Sequence, residues 1–135
     1  MAKILVIDDE RSIRNIIGEL LEMEGHTVKT AENGVQGYEM IGGEAFDQVM
    51  TDIKMPGMDR SGLLDKQIET HPDTTVIMIS GHGNIDTAVE CIKKGAFDYV
   101  EKPIDMNRIL VTVKNALERG SLVKETKTLR RRVNK

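Results

Sequence analysis

Short apolar runs alternate with longer amphipathic segments along most of the chain. Near-continuous apolar runs are typical of strands that are buried on both faces of a parallel sheet. One run alternates apolar and polar residues, and we expect it to lie at an edge of the sheet. The predicted strands are Lys3–Ile7, the alternating run Thr27–Ala31, the run that ends at Asp52, Val76–Ile79 and Phe97–Val100.

Apolar residues recur at spacings of three and four after each run, which predicts helices with one buried face. Glycine or proline follows most of these segments, as is usual where a helix ends. The predicted helices are marked by Ile13, Ile16, Ile17, Leu20 and Leu21 before Gly25; by Gly34 to Ile41 before Gly42 and Gly43; by Leu63, Leu64 and Ile68 before His71 and Pro72; by Ile85, Ala88, Val89 and Ile92 before Gly95; and by Ile109, Leu110, Val113, Ala116 and Leu117.

Strands that alternate with helices indicate right-handed crossovers and an α/β fold with a doubly wound parallel sheet. For five units of this size we expect the flavodoxin-like order 2-1-3-4-5, with helices on both faces. In that order the first and third strands are neighbours. Their carboxyl ends would bring Asp8 and Asp9 close to Asp52, at the edge of the sheet where ligands of such folds bind.

Length and composition fit one small globular domain, with 39% hydrophobic and 30% charged residues among 135. The single cysteine, Cys91, cannot form an internal disulfide, and no apolar run approaches the roughly 18 residues that span a bilayer. We therefore expect a cytoplasmic protein that does not enter the membrane.

Charge is unevenly distributed along the chain. Residues 120–135 contain six basic residues and one acidic residue, a net charge of +5, so residues 1–119 carry −8 of the total of −3. An acidic body argues against direct binding of nucleic acid by residues 1–119.

The basic tail has a second pattern, because Leu122, Thr126, Leu129 and Val133 follow a 4-3-4 spacing that is typical of a two-stranded seam. Gly120 interrupts the pattern. We expect residues 1–119 to form one domain, and residues 120–135 to form either an extension of the last helix or the start of a linker.

Acidic side chains that crowd together repel one another unless a cation lies between them. Carboxylate oxygens with room for water suit Mg²⁺ or Mn²⁺. Such an ion leaves positions for phosphate oxygens, and a carboxylate can be the nucleophile that accepts a phosphoryl group. Lys102 could supply a second cation at the end of the fifth strand, and Ser80 could donate a hydrogen bond at the end of the fourth.

Each of these residues has an ordinary structural explanation when taken alone. Asp9 would be a helix N-cap, Ser80 a turn residue before Gly81, and Lys102 a solvated loop lysine. Their joint occurrence, each directly after a different predicted strand, favours a site for phosphoryl chemistry.

Four motifs, in order, resemble those of the response-regulator receiver domain of two-component signalling, and the resemblance covers residues 3 to about 119. The motifs are V-I-D-D-E at 6–10, T-D-I-K-M-P-G-M-D at 51–59, I-S-G-H-G at 79–83 and D-Y-V-E-K-P at 98–103.

The resemblance implies that Asp52 is the phosphoacceptor for a histidine kinase. It implies a metal site formed by Asp8, Asp9, Asp52 and the backbone carbonyl of Lys54. Lys102 would contact the phosphate, and the bond from Lys102 to Pro103 would be cis.

The resemblance further implies a switch, in which Ser80 turns toward the phosphate and the ring of Tyr99 turns inward. This movement would reshape the face of the fourth predicted helix, fifth strand and fifth predicted helix. Such a domain is no enzyme beyond its own phosphorylation and dephosphorylation. For Tyr99, an amphipathic surface ring that packs without switching is the alternative.

The Ser-Gly-His-Gly segment and the basic tail are similar to the N-terminal regulators of bacterial transcription activators that have a central ATPase. The effector domain is absent from the chain. We expect a homodimer, formed through residues 120–135 or through the face just described.

Three other functions fit the same fold less well. A flavin-binding module would need a phosphate loop where the chain has Asp8 and Asp9, and an aspartyl phosphatase usually places two acids two positions apart after the first strand. A partner-binding platform that never takes phosphate would not need the complete set of acids.

Overall fold

One all-parallel sheet forms the centre of the domain. The computed structural model describes residues 2–52, 74–81, 85–93 and 95–133, and describes only the backbone for Ser80, Ile85, Ala88 and residues 120–133. The strands are β1 (Lys3–Ile7), β2 (Thr27–Ala31), β3 (Gln48–Asp52), β4 (Thr75–Ser80) and β5 (Asp98–Glu101). Their order is β2-β1-β3-β4-β5, which confirms the predicted topology and places the alternating strand at an edge.

Four helices lie in the described part of the chain. They are α1 (Arg11–Met23), α2 (Gly34–Gly43), α3 (Ile85–Lys93) and α4 (Met106–Val133), and the last two are the fourth and fifth predicted helices. The third predicted helix, marked by Leu63, Leu64 and Ile68, lies outside the described residues.

Neighbouring residues of β1 point to opposite faces of the sheet, and both faces are covered. Ile4 and Val6 pack in a cluster with residues of α1 and α4, such as Leu21 and Val113. Leu5 and Ile7 pack on the other face in a cluster that includes Ile41 of α2. The side chains of these four residues are fully buried, which explains the near-continuous apolar run. Helices therefore lie on both faces, as predicted.

Two glycines end helices as the sequence predicted. Gly25 and Gly95 have φ angles of 89° and 121°, a backbone region that side chains with a Cβ rarely adopt. Each lies just after a helix and before the segment that leads into the next strand. By contrast, Gly42 and Gly43 lie inside α2 as its last two residues. The helical hydrogen bonds continue to the amide of Glu44, which donates to the carbonyl of Met40.

The last helix does not stop at Gly120. α4 has 28 residues and continues to Val133, so its backbone extends roughly 20 Å past residue 119 at the usual helical rise. Interior glycine costs a helix about 1 kcal/mol relative to alanine, which a helix of this length tolerates. No helix in the described residues combines the length and the apolar character that crossing a membrane requires.

Candidate functional site: an acidic cluster around Lys102

The sheet register brings the predicted site residues to one edge. Ile7 of β1 pairs with Thr51 of β3, so Asp8 and Asp52 follow on neighbouring strands. On the far side of β3, Asp52 pairs with Ile79, and Ser80 pairs with Glu101 of β5. The carboxyl ends of four adjacent strands therefore carry the candidate residues, as parallel pairing requires.

Lys102 is the cation at the centre of this edge. Its Nζ lies 2.9 Å from Glu10 Oε1 and 3.3 Å from both Asp52 Oδ2 and Asp8 Oδ2. The lysine side chain is 18% exposed, whereas those of Asp8 and Asp52 are 0% and 6% exposed. Acids from the end of β3 and from the loop after β1 thus share one ammonium group. The bond from Lys102 to Pro103 is cis.

The two carboxylate oxygens of Asp8 differ in their hydrogen bonds. Oδ1 accepts a hydrogen bond of 2.8 Å from the amide of Glu10. Oδ2 is buried and accepts no hydrogen bond from the described residues, although Lys102 Nζ is 3.3 Å away. The backbone carbonyl of Asp8 accepts a hydrogen bond of 2.7 Å from Arg14, which ties the start of α1 to this loop.

Burial raises the pKa of Asp8 to about 6, and the charge of Asp52 acts in the same direction. The amide of Glu10 and the ammonium of Lys102 oppose this rise but do not cancel it. The ionised form of Asp8 is therefore destabilised in the folded protein. A cation bound at this carboxylate would offset that destabilisation.

The pKa of Lys102 is also raised, but for a lysine this favours the charged form. Burial would lower its pKa, but the hydrogen bond to Glu10 and the charges of Asp52 and Asp8 outweigh burial and raise the pKa above its ordinary value. The lysine is therefore a permanent cation at neutral pH. It can act as a point charge toward an anion but not as a base.

The acids after β1 fit a divalent cation. One carboxylate oxygen each from Asp8, Asp9 and Glu10 lies within 4.8 Å of the others. Asp8 is buried, while Asp9 and Glu10 are exposed, so the cluster faces solvent on one side. Oxygen ligands with room for water are those that Mg²⁺ prefers, and the buried Oδ2 of Asp8 accepts no hydrogen bond in the described structure, so it fits the role of a metal ligand.

Sequence reasoning grouped Asp8 and Asp9 with Asp52 but gave Glu10 no role. Glu10 makes the shortest contact to Lys102, at 2.9 Å, and a third acid directly after the predicted pair was the available signal. Lys54, predicted to offer its carbonyl to the metal, lies outside the described residues.

Ser80 and Tyr99 lie on adjacent strands of the same sheet. The backbone of Ser80 ends β4 at the site edge. Tyr99 is half-buried against the cluster of Val76, Met78, Cys91 and Ala96. Arg108 of α4 donates a hydrogen bond of 3.1 Å to the carbonyl of Tyr99, which links β5 to the last helix. The predicted switch roles of Ser80 and Tyr99 stay predictions.

The chain is similar to known regulators over nearly its whole length. Residues 4–114 match the sequence model of the response regulator receiver domain. The nitrogen assimilation regulatory protein NtrX of Azorhizobium caulinodans is 39% identical over 129 residues, which are 94% of this chain and 28% of that protein. The DNA-binding transcriptional regulator NtrC of Escherichia coli is 38% identical over 83% of this chain and 24% of its own length.

Solved structures agree with this similarity. The crystal structure of NtrX from Brucella abortus in complex with ADP superposes with a TM-score of 0.90 at 40% identity, covering 99% of this chain and 30% of that one. The chain thus spans less than a third of the length of these relatives.

Proposed function

The chain belongs to the response regulator receiver domain family, and from that premise we propose that Asp52 accepts a phosphoryl group from a histidine kinase. The observation that carries the proposal is the position of Lys102 Nζ, 3.3 Å from a carboxylate oxygen of Asp52 and 3.3 Å from one of Asp8. A nucleophile, a fixed cation and a cluster of metal-type ligands are the parts that phosphoryl transfer needs.

In the proposed reaction, an oxygen of Asp52 forms a bond to phosphorus while the phosphorus–nitrogen bond of the kinase phosphohistidine breaks. The electron pair of that bond leaves with the imidazole nitrogen, which then takes a proton. Lys102 donates to a phosphoryl oxygen and offsets the charge that develops there. The product is an acyl phosphate on Asp52.

Asp8, Asp9 and Asp52 would hold the divalent cation, with Lys54 offering its backbone carbonyl. When bound, Mg²⁺ neutralises phosphoryl oxygens and allows an anionic donor to approach an acidic site. Asp8 provides a buried oxygen, Oδ2, that accepts no hydrogen bond in the described structure, which is why we give it the largest share of the binding.

We propose that phosphorylation shifts the population between two packings of Ser80, Tyr99 and the surface of α3, β5 and α4. The shift would then act on an output domain outside this chain. NtrC is named a transcriptional regulator, and we propose control of transcription here too, in the cytoplasm.

The direct test is to incubate the protein with Mg²⁺ and acetyl phosphate, a small phosphodonor. We expect the mass of one phosphoryl group per chain, and reduction of the acyl phosphate with borohydride should mark Asp52 in peptide mass spectra. Chelation of Mg²⁺ should prevent the labelling. No labelling with Mg²⁺ present would disprove the proposal, and multiple-turnover hydrolysis of phosphate esters would favour a phosphatase.

We further propose that the domain dimerises through the extension of α4. The helix continues without a break to Val133, so Leu122, Thr126, Leu129 and Val133 lie on one helical segment. Their 4-3-4 spacing is that of a two-stranded seam.

The mass in solution with and without beryllofluoride, which mimics the acyl phosphate, tests the dimer. We expect Leu122→Glu combined with Leu129→Glu to shift the protein to monomer, and Ser121→Glu, off the seam, to leave the dimer intact. If the double variant stays dimeric, the interface is elsewhere, and the face of α3, β5 and α4 becomes the alternative.

A further inference from the structure

Glu10 is the nearest acidic partner of Lys102 among the described residues. One of its oxygens lies in the acidic cluster after β1, but the metal ligands and phosphoacceptor proposed above do not include it. We propose that Glu10 is a positioning residue, which holds Lys102 in the unphosphorylated protein and gives it up to the incoming phosphoryl group. Glu10 then sets how fast Asp52 is phosphorylated. This inference rests on the proposed function of Asp52.

Among the described residues, three carboxylates lie within 4 Å of Lys102 Nζ, and two of them accept hydrogen bonds from it. These acceptors are Glu10 Oε1 at 2.9 Å and Asp52 Oδ2 at 3.3 Å, whereas Asp8 Oδ2 lies at 3.3 Å without a hydrogen bond. A phosphoryl oxygen on Asp52 competes for Lys102 with these acceptors. If it takes the place of Glu10, the barrier to phosphorylation includes the cost of breaking the contact between Glu10 and Lys102.

Burial decides which contact breaks. The Asp8 side chain is fully buried and that of Asp52 is 6% exposed, so water cannot replace the ammonium for either of them. The Glu10 side chain is 54% exposed and can be hydrated after it leaves. Withdrawal of Glu10 costs least, because an exposed ion pair is weak compared with a buried one.

The side chain of Glu10 is not needed to cap α1, so it is available to hold Lys102. Glu10 is the N-cap residue of α1, but its side chain makes no capping hydrogen bond. The helix start is held instead by the backbone, where the amide of Arg14 donates to the carbonyl of Glu10 at 3.1 Å. Replacing the carboxylate by the isosteric amide of glutamine therefore leaves the helix start unchanged.

The reaction used for the test is phosphoryl transfer from acetyl phosphate. An Asp52 oxygen bonds to phosphorus, the bond between phosphorus and the acetyl oxygen breaks, and acetate leaves with the electron pair. We expect Glu10→Gln to raise the initial rate at saturating Mg²⁺, by up to about fivefold given the usual strength of an exposed ion pair.

Two controls separate this role from general effects of charge. Glu101 is an exposed acid next to Lys102 in sequence and is not among the described acids within 4 Å of Lys102 Nζ. Glu101→Gln should change the rate by much less than Glu10→Gln. In a Lys102→Ala background, Glu10→Gln should have no effect, because the contact that it breaks is already absent.

The wild type, Glu10→Gln, Lys102→Ala and the double variant can also be titrated by calorimetry with Mg²⁺ and beryllofluoride, a measurement that needs no turnover. Glu10→Gln should tighten beryllofluoride binding only when Lys102 is present. If the variant instead needs more Mg²⁺ for half its maximal rate and is no faster at saturation, Glu10 is a metal ligand and the inference is wrong. An unchanged rate in a protein that labels normally also overturns it, whereas a wild-type protein that never labels contradicts the proposed function itself.

Discussion

Asp52→Asn is expected to abolish phosphorylation by acetyl phosphate while the domain stays folded. The side chain of Asp52 is 6% exposed and lies at the end of β3. Asparagine has almost the same shape, so β3 and its neighbours need not move. The carboxamide oxygen, however, does not form the acyl phosphate that a carboxylate forms. We expect labelling to fall below detection, not merely to slow.

The fold of the Asn variant is checked by measurements that do not depend on labelling. In the Asn variant Lys102 keeps its contacts of 2.9 Å to Glu10 and 3.3 Å to Asp8, so the ammonium group is not left unpaired. The circular dichroism spectrum and the thermal midpoint should show a folded domain. Asp86→Asn, an exposed acid in the first turn of α3, is the matched control and should label like the wild type. If Asp52→Asn still takes up phosphate, peptide mapping would identify another acid as the acceptor.

The strands could be predicted from sequence because burial on both faces produces a recognisable apolar run. Strand boundaries do not follow from the apolar run alone, since hydrogen-bond register and not apolarity sets them. β5 was predicted at Phe97–Val100 and is found at Asp98–Glu101. Glu101 is polar and therefore falls outside the apolar run, but it pairs with Ser80 of β4. The apolar pattern of the sequence does not indicate this pairing.

The meeting of Asp8, Asp52 and Lys102 could be predicted because parallel strands end at a common edge. The part played by Glu10 could not, because the direction of its side chain depends on the extended backbone at the N-cap, with φ −87° and ψ 115°. Gly120 left the length of the last helix open, since a single interior glycine is compatible with a helix that continues or ends.

Asp8→Asn is expected to stabilise the domain in the absence of metal. The pKa of Asp8 rises from 3.8 to about 6 in the folded protein, so the folded state binds the proton more tightly than the unfolded state. The ionised carboxylate therefore lowers stability above pH 6, and this cost disappears as the pH falls below about 4. A rise of this size corresponds to about 3 kcal/mol at neutral pH, which asparagine should recover without carrying a charge.

The measurement is urea unfolding of both proteins in the presence of a chelator, at several pH values. The free energy of unfolding of Asp8→Asn should exceed that of the wild type by up to about 3 kcal/mol at pH 7, and the difference should vanish near pH 4. Adding Mg²⁺ should reverse the order at neutral pH, because the ion stabilises only a protein that binds it. A constant difference across the pH range would mean that the charge of Asp8 is not the cause. If both proteins gained equally from Mg²⁺, the ion would bind somewhere else, and the buried oxygen of Asp8 would have no part in holding it.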